Sequence, residues 1–208
     1  MTGDRLTGDL PVRLDQHERA LLFAGRRDLA RHSGALATDL GVLELARDVY
    51  EIGEAAGVVA YDPERDLLVL LRQFRMTAHV SGVPADMVEV CAGGVDAGEA
   101  PVDAARRELR EELGIEALAI EPAFQFLPSA GWMAQLAHVF VARVDASAVP
   151  ERAGLAEETE HTRPFTATPD AVSAAIDAGL LRNGFALLAL TWFARHRQAI
   201  RQRWGFCD

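Results

Sequence analysis

The chain is short of cysteine, of positive charge and of long apolar runs, and each shortage narrows what it can be. Two cysteines, Cys91 and Cys207, make neither a disulfide framework nor a zinc-ligand spacing. Cys91 lies inside an apolar run and reads as a small core residue rather than a nucleophile. Basic residues number 21 against 31 acidic ones, a formal net charge of -10. That balance disfavours nucleic acid as a partner, because phosphate backbones are held by basic patches. No apolar stretch approaches the ~20 residues that cross a bilayer, so no membrane partner is expected. The opening stretch, MTGDRLTGDLPVRLDQ, lacks the apolar segment of a secretory signal, which makes the cytoplasm the expected location. There is no internal repeat and no low-complexity linker. What remains is a chain of 208 residues, half of them hydrophobic, enough for one globular core with an extension.

The N-terminal part carries little pattern. Arg19 to Arg31 has helical composition, followed by the loop-like GALATDLG, and an N-terminal strand or arm is the alternative. From Leu43 an approximate alternation suggests a strand, with Arg47 on its apolar side. The runs AAGVVAY (55–61) and LLVLLRQF (67–74), joined by the turn Asp62-Pro63-Glu64-Arg65-Asp66, read as a hairpin. Residues 76–85 read as a loop, and Met87 to Ala92 as a strand entering Gly93-Gly94. Pro101 to Leu113 reads as a helix, with Pro in its first turn, Gly114 just past its end, and Val102, Ala105, Leu109 and Leu113 on its apolar face. Two strands, 118–127 and 137–144, follow, then a long acidic loop, 145–162. Thr168 and Asn183 are placed to cap two closing helices, opened by Pro169 and running from about Gly184 to Arg203. Strands in the middle with helices after them, without regular alternation, imply an α+β sandwich on a mixed sheet.

The helix at 101–113 holds the chemistry. Glu108 and Glu112 are four residues apart and share one face; Glu111 borders it. Carboxylates so close repel unless something positive lies between them. A hard divalent cation such as Mg²⁺ accepts a few carboxylates together with water and phosphate oxygens. The preceding glycine turn allows the backbone to approach the same point. An acidic solvated helix face is the ordinary alternative.

The full pattern decides between them: Gly93, five residues, Glu99, seven residues, Arg107-Glu108-Leu109, one residue, Glu111-Glu112, one residue, Gly114-Ile115. It resembles the complete Nudix box. The resemblance implies a Nudix fold, an α/β/α sandwich with a mixed sheet, spanning 55–208. It implies that residues 1–54 form a strand-rich extension that makes a homodimer. Mg²⁺, or Mn²⁺, would be held by Glu108 and Glu112, with Glu111 as a further ligand or base and the Ala92 or Gly93 carbonyl as another ligand. Glu99, Arg107, Gly93 and Gly114 would support the box.

Flanking segments resemble the ADP-ribose pyrophosphatase group within that family. These are LLRQFR (70–75), EVCAGG (89–94), PSAG (128–131), GLAEETE (154–160) and the tail from Ala175 to Arg197. The resemblance implies hydrolysis of a nucleoside diphosphate sugar, ADP-ribose preferred, with GDP-mannose or a UDP-sugar as alternatives. Arg47 and Arg75 would contact the substrate, since guanidinium forks suit diphosphates. Glu158 would be the base, with Glu160 next. The group has a glutamate where this chain has Gln135, and Gln135 carries no anionic charge for metal or substrate. A non-catalytic nucleotide sensor on the same fold is the other class of reading, and an intact carboxylate set speaks against it. An RNA-end pyrophosphohydrolase is disfavoured by the net charge.

Overall fold

The structure, a computed structural model, describes residues 8–154 and 161–206. The chain divides into two compact units, Met1–Ile52 with Ser129–Ala134, and Gly53–Pro128 with Gln135–Asp208.

In the first unit, β1 (Asp15–Phe23), β2 (Asp28–Thr38) and the first half of β3 (Gly41–Asp62) form an antiparallel meander. The helical composition of 19–31 is overridden: these residues end β1, turn, and begin β2. Cross-strand pairing outweighs the weak local preference. Arg31 stands opposite Asp48 in the register and forks it at 2.7 and 3.0 Å. Arg19 reaches Glu51 at 2.5 Å and Asp28 at 3.0 Å. Thr38 fixes the β2–β3 turn by donating to the Gly41 carbonyl and accepting the Leu40 N–H. Trp132 stacks on Tyr50, ring centroids 6.2 Å apart, and its carbonyl accepts the Tyr50 N–H.

In the second unit β3 continues past Gly53, which sits at φ +91°, and turns into β4 (Leu67–Phe74). The runs read separately from the sequence on either side of Gly53 are thus one strand. Asp62 builds the hairpin turn: its carboxylate accepts the N–H groups of Glu64, Arg65 and Ala146. The arms of the hairpin pair only at Ala60–Asp62 with Leu67–Val69 and then part. Into the gap goes the segment after α1 (Met76–Val80), a short helix within the stretch expected to be loop. That segment is two strands rather than one. β5 (Asp86–Glu89) pairs β4, and β6 (Cys91–Gly94) pairs β3 at Ala55–Val58, with Val90 at the change of partner. β7 (Ala119–Phe126) and β8 (Met133–Arg143) form a further antiparallel pair, and β8 also pairs β3. β9 (Arg163–Ala167) pairs β4 on its other side.

Alternation along the strands feeds two cores. Ala56, Val58, Ala60, Val69 and Leu71 face α2 (Pro101–Leu113), burying Ala105, Leu109 and Leu113. Val59, Tyr61, Leu68 and Leu70 point the other way, into a core with Val172 of α3 (Pro169–Asp177) and Leu190, Phe193 and Ile200 of α4 (Gly184–Arg203). Each fully buried leucine contributes about 1.5–3 kcal/mol by the area it removes from water. Helices therefore lie on both faces of the sheet. Thr168 and Asn183 cap α3 and α4 by accepting the N–H groups of Ala171 and Ala186.

Candidate active site

α2 begins at Pro101 and ends where Gly114 turns at φ +66°, a conformation only glycine adopts without strain. A side chain at Gly114 would also run into Pro150. The helix is amphipathic, but its buried stripe is not purely apolar. Glu108 and Glu112 are 6% and 2% exposed, level with Ala104, Ala105 and Leu109. Charge at such depth must be matched by donors or counter-ions.

Arg107 supplies much of the match. Its guanidinium donates to Glu108 Oε1 at 2.7 Å, Glu111 Oε2 at 3.0 Å, Glu99 at 3.1 and 3.0 Å, and the Gly94 carbonyl at 2.7 Å. One cation thus ties three carboxylates to the backbone of β6. The Glu99 carboxylate, drawn below its ordinary range first by Arg107, also accepts the Asp96 N–H, closing the turn between β6 and α2. Glu112 Oε2 accepts the Ala92 N–H at 2.8 Å. Gly93 is where any other residue fails: a Cβ there would sit inside the Glu108 carboxylate. The field of the cluster is felt by Cys91. Burial pushes its thiol up, and Glu112, Glu108 and Glu111 push it further.

The structure thus gathers Ala92, Gly93, Glu99, Arg107, Glu108, Glu111 and Glu112 into one place, with Gly114 ending the helix. Arg107 thus serves Glu99, Glu108 and Glu111 at once, while Glu112 is held by the backbone of β6. Among the described residues no three acidic, His or Cys side chains converge as a finished metal cage. The buried carboxylates that Arg107 holds on one helix face are hard oxygen donors, the kind a divalent cation takes together with waters.

The remaining candidates lie elsewhere. Arg75, just past β4, forks Glu89 at 2.9 and 2.6 Å, and Glu89 is 4% exposed. Glu89 was visible in sequence only as the first letter of its lead-in motif. Arg47 belongs to the first unit, exposed, its guanidinium on the Ala46 carbonyl. Gln135 is half-buried in β8. Glu158 and Glu160 lie outside the described residues.

The chain on either side of that segment is informative. Ala153 and Thr162 form an antiparallel bridge. The Gly154 N–H donates to the Glu111 carbonyl at 2.7 Å, and the fully buried Thr162 hydroxyl donates to the Glu112 carbonyl at 2.7 Å. These are carbonyls that α2 leaves unpaired at its C-terminus. Thr162 carries no sequence signal for this role.

The NUDIX domain profile matches residues 52–180. The chain belongs to the Nudix family and is a Nudix hydrolase; its fold is the α+β architecture of that family, with a mixed sheet. It is 32% identical over 204 residues to the ADP-ribose pyrophosphatase of Escherichia coli K12, covering 95% of this chain and 98% of that one. It is 30% identical to the ADP-ribose pyrophosphatase of Haemophilus influenzae, over 77% of this chain and 75% of that one. A GDP-mannose pyrophosphatase of Cronobacter sakazakii is 38% identical over 63% of this chain and 66% of its own length. A solved structure described as an ADP compounds hydrolase superposes with a TM-score of 0.69 at 17% identity, over 96% of this chain and all of that one, a likeness of fold.

Proposed function

We propose that the protein hydrolyses the diphosphate of ADP-ribose to AMP and ribose 5-phosphate in a reaction dependent on Mg²⁺ or Mn²⁺. The observation that carries this is the buried carboxylate cluster of α2, with Arg107 bridging Glu108 and Glu111 while Glu112 is fixed against β6. Relatives named for ADP-ribose support the substrate.

Glu108, Glu112 and the Ala92 carbonyl are the residues that would hold the metal, with Glu111 beside them. When bound, a divalent ion neutralises charge on the diphosphate and lowers the pKa of water. The chain's residues do the rest. Arg107 and Glu99 hold the carboxylates in one arrangement before substrate arrives, so no reorganisation is needed during the reaction. Gly93 leaves the space Glu108 occupies. Arg75 and Arg47 bind the substrate's phosphates or nucleotide, Arg75 from a position set by Glu89. Gln135 offers an amide where charge is absent. Glu158 takes the proton from the attacking water, with Glu160 and Glu111 as the alternative bases. Support for a base in that segment comes from its flanks, pinned at Gly154 and Thr162 to the last carbonyls of α2. Water's oxygen joins one phosphorus, the bridging P–O bond breaks, and the leaving phosphate carries away the negative charge.

The active species is a homodimer in the cytoplasm, formed through residues 1–54, with 55–208 as the catalytic domain. The support is that β1 is exposed along its whole length and shows water Leu21, Leu22 and Phe23, an apolar edge of the sort that pairs with another chain. No helix among the described residues is long and apolar enough to cross a membrane.

GDP-mannose is the second reading, favoured by the relative named for it. A panel of ADP-ribose, GDP-mannose and UDP-glucose with Mg²⁺ decides between them. Fastest turnover of ADP-ribose is expected; inert ADP-ribose beside rapid turnover of another sugar nucleotide would overturn the preference.

A further inference from the structure

We propose that Glu54, held by His138, accepts the vicinal hydroxyls of a ribose joined to the substrate's diphosphate. This role rests on the α2 carboxylates being where that diphosphate is cut. Glu54 lies outside the box, on β3, one residue past Gly53. Its backbone carbonyl accepts the Val95 N–H at 3.0 Å, so β3 and the chain leaving β6 are still bonded at this point. The register sets Ala55 against Gly94 and Ala56 against Gly93. Side chains alternate along a strand, and Ala56 points into the core under α2, so Glu54 lies on the α2 side of the sheet. Gly93 is its diagonal neighbour across the pair, about 7–8 Å away. Gly93 is also where the Glu108 carboxylate comes to rest against the backbone. Ala56 is fully buried, whereas two residues earlier the Glu54 side chain is 51% exposed.

That carboxylate is fixed rather than free to swing. His138 of β8 bonds Glu54 Oε2 through Nε2 at 2.6 Å and the Gln125 amide nitrogen of β7 through Nδ1 at 2.9 Å. An amide N–H only donates, so Nδ1 accepts and the ring proton sits on Nε2, aimed at Glu54. The His138 side chain is 13% exposed, and Phe140 and Ala142, further along the same face of β8, lie in the core under α2. Three neighbouring strands thus set one carboxylate beside the α2 cluster.

A carboxylate accepts hydrogen bonds and donates none. Phosphate oxygens are acceptors too and carry the same sign of charge, so they repel it. The nearest donors in a sugar nucleotide are the ribose hydroxyls at C2 and C3. They stand a few bonds beyond the phosphate, as Glu54 stands a diagonal step beyond Gly93 and Glu108. Two adjacent hydroxyls match the two oxygens of one carboxylate, and a carboxylate already oriented by His138 gives up little freedom when it binds them. ADP-ribose carries such a ribose on each side of its diphosphate.

Calorimetry on the full-length chain in Mg²⁺ tests this with two pairs of ligands. AMP against 2′,3′-dideoxy-AMP reads the nucleoside ribose, and ribose 5-phosphate against tetrahydrofurfuryl phosphate, the same ring without hydroxyls, reads the other. In one pair the hydroxylated member should bind more tightly by about tenfold, as hydrogen bonds to a charged group do. Glu54→Ala should bring that ratio to about one and leave the hydroxyl-free member unchanged. Glu54→Gln, which can still accept the His138 proton, should keep part of it. His138→Phe should lose most of it, and with ADP-ribose both Glu54→Ala and His138→Phe should raise KM far more than they lower kcat. No hydroxyl preference in either pair, including no saturable binding, overturns the proposal. So does a ratio that survives Glu54→Ala, or a His138→Phe protein that melts lower but keeps the ratio, since the pair would then only brace the sheet. Hydrolysis measured alongside separates two failures. Turnover of ADP-ribose without a Glu54-dependent preference overturns this role alone, and no turnover of any sugar nucleotide overturns the diphosphate reading with it.

Discussion

Replacing Arg107 with alanine should destabilise the protein in a way that Mg²⁺ partly reverses. The guanidinium makes five hydrogen bonds, four of them to carboxylates. One of those, Glu108, is 6% exposed, so removing Arg107 takes a charged hydrogen-bond donor from a carboxylate that water barely reaches. Breaking a buried pair by deleting one member costs about 3–5 kcal/mol. The Arg107 side chain is 26% exposed, which lets some water in and lowers the figure. A loss of roughly 2–4 kcal/mol follows, or a fall of about 5–15 °C in melting temperature for a domain of this size. Arg107→Lys should fall between, because an ammonium keeps the charge but cannot fork to Glu99 while reaching Glu108 and the Gly94 carbonyl. On the proposed reading, a divalent ion held by Glu108 and Glu112 would replace part of the missing positive charge. Saturating Mg²⁺ should therefore raise the melting temperature of Arg107→Ala more than that of the unaltered protein. Thermal melts by circular dichroism, in EDTA and in Mg²⁺, read all of this. A fall under about 2 °C, or an equal Mg²⁺ effect in both proteins, would refute the claim that Arg107 holds a metal-competent carboxylate cluster.

Thr162→Val should cost about 1–3 kcal/mol, because it leaves the Glu112 carbonyl without its buried hydroxyl donor; urea denaturation measures this, and a neutral variant would remove Thr162 as an anchor. In a Cys207→Ser background, Cys91 should resist a thiol reagent at mildly alkaline pH until the protein is unfolded, since burial and three nearby glutamates oppose the thiolate; rapid labelling of folded protein would contradict the site's electrostatics. Acid should weaken the fold over a definite range. Arg19 holds Glu51 down to about 2, and Asp48 and Glu99 lie below their ordinary values through Arg31 and Arg107. Folded values below unfolded ones mean stability that is present above about pH 4.5 and is lost as pH falls toward 2. Urea midpoints should drop across that window, and a flat profile there would be inconsistent with these pairs.

What could be read from the sequence depended on how local its cause was. Pro101, Gly114, Thr168 and Asn183 act on their own helix ends, so α2, α3 and α4 were legible almost to the residue. The box glutamates were legible because spacing on a helix fixes which side chains share a face. β1 and β2 were not, since nothing near Arg19 announces that Glu51 will stand within its reach. The break at Val90 was hidden for the same reason: an apolar run looks continuous, and only the parted β3–β4 hairpin requires a change of partner there. Thr162 owes its place to a contact at long sequence separation and shows no spacing that would mark it, and the motif that holds Glu89 does not announce its pairing with Arg75. Burial of Glu108 and Glu112 was likewise beyond the pattern, which gave their face but not their depth.

The measurement closest to the central claim is Mg²⁺-dependent release of AMP and ribose 5-phosphate from ADP-ribose, followed by chromatography for the unaltered chain and for Glu112→Gln. The account predicts equal amounts of the two products, no turnover in EDTA, and a rate lower by at least about 10³ in a Glu112→Gln protein that still folds. Turnover by Glu112→Gln at the unaltered rate, or undiminished turnover in EDTA, would contradict it.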